Sequence, residues 1–459
     1  MIELIVPLIL LSGIFLSIAL FLKPRFTLYL VTFSCIFDLA YFSRWFGLSR
    51  YFARLTYFLA TILAASFISH FLIRKYAIIR KAKLIKATLI LIIILFALTI
   101  ISLLINQGDV LLGIYELRYY FILIVLCIGF YKYRPSFLTE PKLIQSIVII
   151  GLIQIPVTAI QNFFTVGLRA SSSNISLDIS SGTFVSYPAL VFYQCVALGL
   201  TLMYQIKTRR PILKINNYIL IILLIIPLLL SFSRSAVGFV TIILLTVFLR
   251  EIYIKKSLRF FLRTAVPISL LIFIVIFSFY EFFWKKHSRF EEQLNVNYVV
   301  GYFFREARDY HGYLAGSDPV MGRGRAFIYS FKMTSESFRT FLFGLGSGST
   351  SNSLFLGRVG NFYYRYGPEA GLGRIQYSKI IIEYGYLGLF VFITYFLYLL
   401  NQIKKARIKM RGSLCYDVFF VVLLSIVLLS FYSTILHNEI TILILAGVIT
   451  SAQIRMLQQ

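Results

Sequence analysis

Long apolar runs alternate with short polar connections along almost the whole chain. A spanning helix needs about 20 mostly apolar residues. Thirteen stretches are candidates: Ile2–Leu22, Phe26–Phe42, Leu55–Ile73, Leu84–Ile105, Tyr119–Phe130, Leu143–Phe163, Val185–Tyr204, Tyr218–Leu230, Ala236–Leu249, Ala265–Phe279, Tyr377–Leu400, Val418–Ile435 and Ile440–Ile454. The pattern predicts an all-α polytopic membrane protein of about 12–14 transmembrane helices. One break is long: Glu281–Gln376 is the only soluble-sized piece, and it holds 8 of the 18 acidic residues. Within it, "SRFEEQLNVNYVVGYFFREARDYHGYL" and "GRAFIYSFKMTSESF" read as amphipathic helices. The expected organisation is a bundle of about ten helices over residues 1–280, a partly helical segment over 281–376, and about three helices over 377–459.

Charge orients the pattern. The connections holding Lys23/Arg25, Arg74–Lys86, Lys132–Lys142, Lys207–Lys214, Arg250–Arg263 and Lys404–Arg411 are basic and alternate regularly, which makes them cytoplasmic. The first terminus is then outside and the last inside, and the first apolar run, lacking a basic leader or a small-residue cleavage pattern, reads as a retained span. Arg44, Arg50 and Arg54 run against this scheme, falling on the outer side.

Composition agrees. With 59% hydrophobic residues and a mean hydropathy of +0.84, the chain exceeds what a soluble domain hides in a core. The formal net charge of +27 belongs to cytoplasmic loops rather than to a nucleic-acid interface. Cys35, Cys127 and Cys195 lie in apolar stretches and Cys415 in a basic loop, so no disulfide, redox or zinc site is expected. No acidic pair or His/Asp cluster has metal-ligand spacing, and no metal or cofactor is expected.

The two cations divide by side. Of the 19 basic residues that fall outside, 15 are Arg, whereas 14 of the 26 inside are Lys. A diphosphate ligand favours such a bias, since guanidinium binds phosphate oxygens bidentately and is less strongly hydrated than ammonium. "SFSRSAVGF" places Arg234 among Ser231, Ser233 and Ser235 in a very short outer turn at a helix start, an anion site in outline.

At these residues the chain resembles the superfamily of bacterial O-antigen ligases and O-antigen polymerases. The Ser-Arg pair in a tight outer turn before a spanning helix is matched by "SFSRSAVGFVTIILL". Gly-Arg, an aromatic a turn later and then Gly-x-Gly is matched by Gly324, Arg325, Tyr329, Gly344 and Gly346. Weaker matches are "GIYELRYYFIL" with Arg118, "GTFVSYPALVFYQ", and "IIIEYGYLGLF" with Glu383, Gly385 and Gly388. The ligase His-Asn pair is not carried over, since its register falls on Arg374 and Ile375, and the reading leans to a polymerase.

The resemblance implies a metal-independent glycosyltransferase of the bacterial inner membrane with its active site on the outer face. It would join undecaprenyl-diphosphate-linked oligosaccharide repeats into O-antigen, capsule or exopolysaccharide, beside chain-length regulator and flippase proteins. A ligase acting on lipid A core or another acceptor is the rival enzyme, and a lipid-linked oligosaccharide transporter the rival outside enzymes. Arg234 and Arg325 are expected at the diphosphate, then Arg118, with Arg323, Arg169, Arg374, Ser233 and Tyr329 as further substrate-side residues. For the catalytic base the candidates are His437 and Glu439 in "ILHNEI", where helix capping explains the same residues equally well. Glu383 follows Lys379 by four residues, which favours an internal ion pair.

Overall fold

The computed structural model describes residues 13–37, 54–74, 82–106, 108–164, 181–184, 186–231, 234–255, 322–353, 356–364, 375–409 and 414–458, with isolated positions between 266 and 277. These residues are mostly helical. Helix α1 covers Gly13–Leu22 and α2 Pro24–Ile36; α3 is Leu55–Arg74, α4 Lys83–Asn106, α5 Val110–Glu116, α6 Arg118–Tyr133 and α7 Glu140–Phe163. Then come α8, Tyr187–Thr208, α9, Asn217–Leu230, α10, Arg234–Lys255, α11, Arg323–Thr334, α12, Phe338–Phe343, α13, Gln376–Lys409, α14, Cys415–Leu429, and α15, Glu439–Leu457. A two-residue ladder, β1 Asn352–Ser353 against β2 Arg358–Val359, is the only sheet among the described residues.

Among the described residues, six helical stretches are long and apolar enough to cross a membrane: α4, Val110–Tyr133 across α5 and α6, α7, α8, Gln376–Lys405 of α13, and α15. Parts of α3, α9, α10 and α14 are shorter apolar helices. The fold is that of a helical membrane protein. Outward apolar stripes mark lipid-facing sides, as at Ile90, Ile93, Phe96 and Ile100 on α4, whereas α8 and α15 are buried on nearly all faces. Helix α15 packs along α6, and α8 is surrounded by α7, α9, α10 and α14. The all-round apolar sequence of α8 is what a central position requires.

Local chemistry sets several boundaries. Prolines open α2, α7 and α8, where a missing N–H costs nothing. Asp109 caps α5 by accepting from Leu112 N at 3.0 Å. Gln154 and Gln161 of α7 pin the turn at residues 181–183: Gln161 donates to Gly182 O at 2.7 Å, and Thr183 N donates to Gln154 Oε1 at 2.8 Å. The "GTF" stretch is thereby strapped to the bundle.

Two expectations change. Leu22 and Pro24 belong to helices bent by 109° at Lys23, rather than to two spans folded back on each other. Pro24 has no N–H to continue the preceding helix, which breaks there. Cys415 is not in a loop but opens α14, buried with its thiol donating to Glu140 Oε1 at 2.7 Å.

Buried polar contacts define two opposite ends of the bundle. At one, Asp417 of α14 binds Lys207 of α8 and Arg250 of α10, each at 2.5 Å. Leu84 N of α4 donates to Gln453 of α15 at 2.8 Å at that same end. At the other stand the starts of α3, α6, α13 and α15 and the end of α4. Lys207 and Arg250, two of the expected inner basic residues, thus lie at the end away from Arg118, Arg323 and His437.

Candidate functional site

Glycine geometry builds the site's frame. Helix α13 is broken at Gly385, φ +66°. A Cβ there would meet Leu342 O at 2.3 Å, and one at Gly344, φ +67°, would meet Gly385 N at 2.6 Å. Only two glycines permit this approach. Leu345 N then donates to Ile382 O at 2.6 Å, and the glycine-rich turn that follows delivers Thr350 to Glu383, with Thr350 Oγ1 donating to Oε1 at 2.5 Å. "GLGSGST" therefore cradles an anion of the protein's own, the Glu383 carboxylate.

From Glu383 a chain of charges runs through the interior. Lys379 Nζ lies 3.7 Å from Glu383 Oε1, 2.7 Å from Glu116 Oε2 and 2.9 Å from Ser351 Oγ. The i,i+4 contact expected from sequence is present, but the shorter bond goes to Glu116. Glu116 also meets Arg118 at 3.4 Å and His437 Nε2 at 3.6 Å. All these carboxylates and the Lys379 ammonium are buried. Arg118 donates to Tyr115 O and Tyr119 Oη, both at 2.9 Å. Its guanidinium sits 3.8 Å from the Tyr115 ring centroid and 4.3 Å from that of Tyr119.

His437 occupies the Ile435–His437 turn between α14 and α15, edge-on to Tyr119 and Tyr120 at 5.2 and 6.1 Å. Gln376 Oε1 lies 3.1 Å from Leu436 N and 3.1 Å from His437 Nδ1. A peptide N–H can only donate, so the Gln376 atom facing it is the carbonyl oxygen, and His437 Nδ1 must carry the proton. The Nε2 lone pair is left on the side of Glu116. Burial, and then the positive charge of Lys379, hold His437 well below the usual histidine pKa, so it is neutral at pH 7. Glu116 opposes that shift and would stabilise the imidazolium once a proton arrived.

Glu439 is the first residue of α15, and its carboxylate accepts from Tyr57 Oη of α3. Asn438 occupies the cap position without a side-chain capping bond. The "HNEI" stretch thus serves the cluster more than the helix end.

Arg323 faces inward, its guanidinium carbon 3.4 Å from the Tyr432 ring centroid and Nη2 donating to Tyr187 Oη at 3.2 Å. Tyr187 and Tyr432 join their hydroxyls at 3.0 Å. Phe239, one turn and a half along α10 from Arg234, packs on the same Tyr432 ring at 5.4 Å. Arg234 is the first residue of α10, and its side chain, with Ser233, Arg169 and Arg374, lies outside the described residues. Arg325 is exposed on the opposite face of α11 from Ala326. Tyr329 packs against a small apolar cluster of Ala326, Phe362, Ile375 and Ile382.

Arg118, His437 and Glu439 thus converge, with Arg323 at the same end of the bundle. Sequence reasoning missed Glu116, Tyr57 and Gln376. Glu116 stood two residues before Arg118, and an isolated acid beside an isolated arginine within an apolar run was a usable signal. A groove of about 470 Å³ lies elsewhere, at the Lys23 bend, lined by Leu22, Lys23, Pro24, Arg25, Phe26, Tyr29 and Tyr133. The described residues contain no His/Cys/Asp/Glu group able to hold a metal. No family model matches the chain, and a search of the curated proteins finds no significant match.

Proposed function

We propose that the protein is a glycan polymerase of the bacterial inner membrane, with 12–14 spans and its active site at the outer face. It joins undecaprenyl-diphosphate-linked repeat units without a metal. The observation that carries the reading is the convergence of Arg118, His437 and Glu439, remote in sequence, around a neutral histidine whose Nε2 is the available base.

In this reading an acceptor sugar hydroxyl gives its proton to His437 Nε2 while its oxygen attacks the donor's anomeric carbon. The bond from that carbon to the diphosphate oxygen breaks, and the configuration inverts. Glu116 stabilises the imidazolium, and Gln376 keeps the ring oriented. Arg234, Arg323 and Arg325 take the charge of the departing diphosphate. Arg118, engaged by Glu116 and Tyr119, moves from donor binding to holding the cluster.

Purified protein given only undecaprenyl-diphosphate-linked repeats should build a ladder of longer lipid-linked glycans, undiminished by chelator. His437→Ala should slow it by about 10²- to 10⁴-fold, the usual cost of a lost general base. Silence until a distinct acceptor is supplied would make the enzyme a ligase. Equal rates in His437→Ala and the parent would remove the histidine from the mechanism.

A further inference from the structure

Helix α11 turns Ala326, Ser330 and Thr334 into the bundle and leaves Arg325, Ile328 and Lys332 exposed on the opposite face. After the turn, α12 continues that outward side with Phe338, 78% exposed, and Arg339. Lys332 and Arg339 are exposed here, with one exposed acid, Glu336, between them. A soluble surface has no use for a phenyl ring so exposed beside Phe341, also exposed.

The neighbours supply a reason. Phe341 stacks on Tyr386 of α13, with ring centroids 4.1 Å apart, just past the break at Gly385. Immediately beyond, Leu387, Phe390, Ile393 and Leu397 form an exposed apolar stripe within a stretch apolar enough to span a membrane. Such a stripe suits a lipid-facing side, and Phe341, stacked on Tyr386, adjoins its start. Apolar rings at the hydrocarbon boundary with cations above them is the arrangement of an interfacial anchor.

We propose that α12 and the last turn of α11 form a lipid-docking surface. Phe338 and Phe341 enter the acyl region, and Lys332 and Arg339 hold the phosphate of an anionic lipid in that leaflet. Charge complementarity selects this occupant: among the described residues Lys332 and Arg339 flank a single acid, Glu336, beside the exposed Phe338 and Phe341 rings. The proposal rests on exposure and placement and is independent of the glycan reading.

The test uses the full chain in nanodiscs of phosphatidylcholine with or without phosphatidylglycerol. Trp45 and Trp284 are replaced by Phe, and Phe338→Trp supplies the reporter; its exposure makes that exchange benign. Lipids brominated near the top of the acyl chain should quench the reporter more than lipids brominated near its end, and aqueous iodide should quench little. Native mass spectrometry should show phosphatidylglycerol retained over phosphatidylcholine. Lys332→Gln and Arg339→Gln should each weaken retention about fivefold, which corresponds to ~1 kcal/mol per cation near a membrane surface. Strong iodide quenching with no bromolipid quenching would place the segment in water and overturn the proposal. Unchanged lipid retention in the double Gln variant would overturn the headgroup assignment.

Discussion

Replacing Lys379 with Met should be among the most destabilising single changes available in this protein. The ammonium is 9% exposed at its side chain, Glu116 6% and Glu383 fully buried, so little solvent screens the three charges. Removing it leaves Glu116 with Arg118 at 3.4 Å and His437 at 3.6 Å, and Glu383 with Thr350. Removing one partner of a buried pair costs about 3–5 kcal/mol. The surviving contacts favour the lower end, about 3 kcal/mol. The double variant Glu116→Gln/Lys379→Met, by deleting both charges, should be less destabilised than the sum of its parts by about 1–3 kcal/mol. All four cysteines are buried and reduced, so a thiol-reactive fluorophore reports unfolding in detergent without added probes. The midpoint for Lys379→Met should fall by several degrees and recover in part when Glu116→Gln is added. Strict additivity of the two changes would mean that the charges are individually solvated, and the argument for a dry ion-pair chain would fail.

The remaining tests address base, backbone and orientation. His437 faces Glu116, Lys379, Arg118, Gln376, Tyr119 and Tyr120, and burial with Lys379 depresses its pKa. The acid limb of the pH–rate profile should therefore lie below the ordinary histidine value of about 6.5; a limb at or above it would contradict a buried neutral base. The same shift makes the unfolded chain the stronger proton binder, so His437's contribution to stability is complete above about pH 6.5 and lost as pH falls toward its folded pKa. Gly385→Ala should fail to accumulate or lose the 345–353 packing, because its Cβ would meet Leu342 O at 2.3 Å; a fully stable variant would refute that contact. A Cys at Tyr364, 81% exposed, should label from outside intact cells and one at exposed Lys405 should not. The reverse result would invert the outer assignment of the site.

Hydropathy and charge spacing, which are local properties, made the membrane class and the Lys379–Glu383 pair legible in the sequence. Long-range partners were not. Glu116 and Lys379 meet across 263 positions, and Tyr57 and Glu439 across 382. Neither acid advertises its partner, because an apolar run tolerates one charge for many reasons. The bend at Lys23 was missed because a basic connection marks a chain reversal and a kink alike. Asp417 lies one residue before the expected span Val418–Ile435, and the start of α14 buries it between Lys207 and Arg250. The family-like glycines were visible, but their use was hidden: Gly344 and Gly385 serve each other's backbone approach.

Charge balance separates two groups of arginines. Within the cluster Arg118 and Lys379 face Glu116 and Glu383, and Arg54 lies over the Tyr57 ring beside Glu439. Carboxylates already engage Arg118 and Lys379, so a diphosphate entering there would have to displace them. Arg323 and Arg325 lie on α11, with Arg323 against Tyr432 and Tyr187. Arg118→Gln should therefore behave like Lys379→Met, lowering thermal stability because it exposes Glu116 to an unbalanced burial. Arg325→Ala should leave the unfolding free energy within about 0.5 kcal/mol of the parent, as surface changes do, while raising the donor concentration needed for half-maximal ladder formation. Arg325→Lys should restore little of that affinity, since an ammonium cannot grip phosphate oxygens bidentately. If Arg118→Gln instead left stability intact and raised only the donor requirement, Arg118 would rejoin the diphosphate site, and the division between a proton-handling cluster and a phosphate-handling face would be wrong.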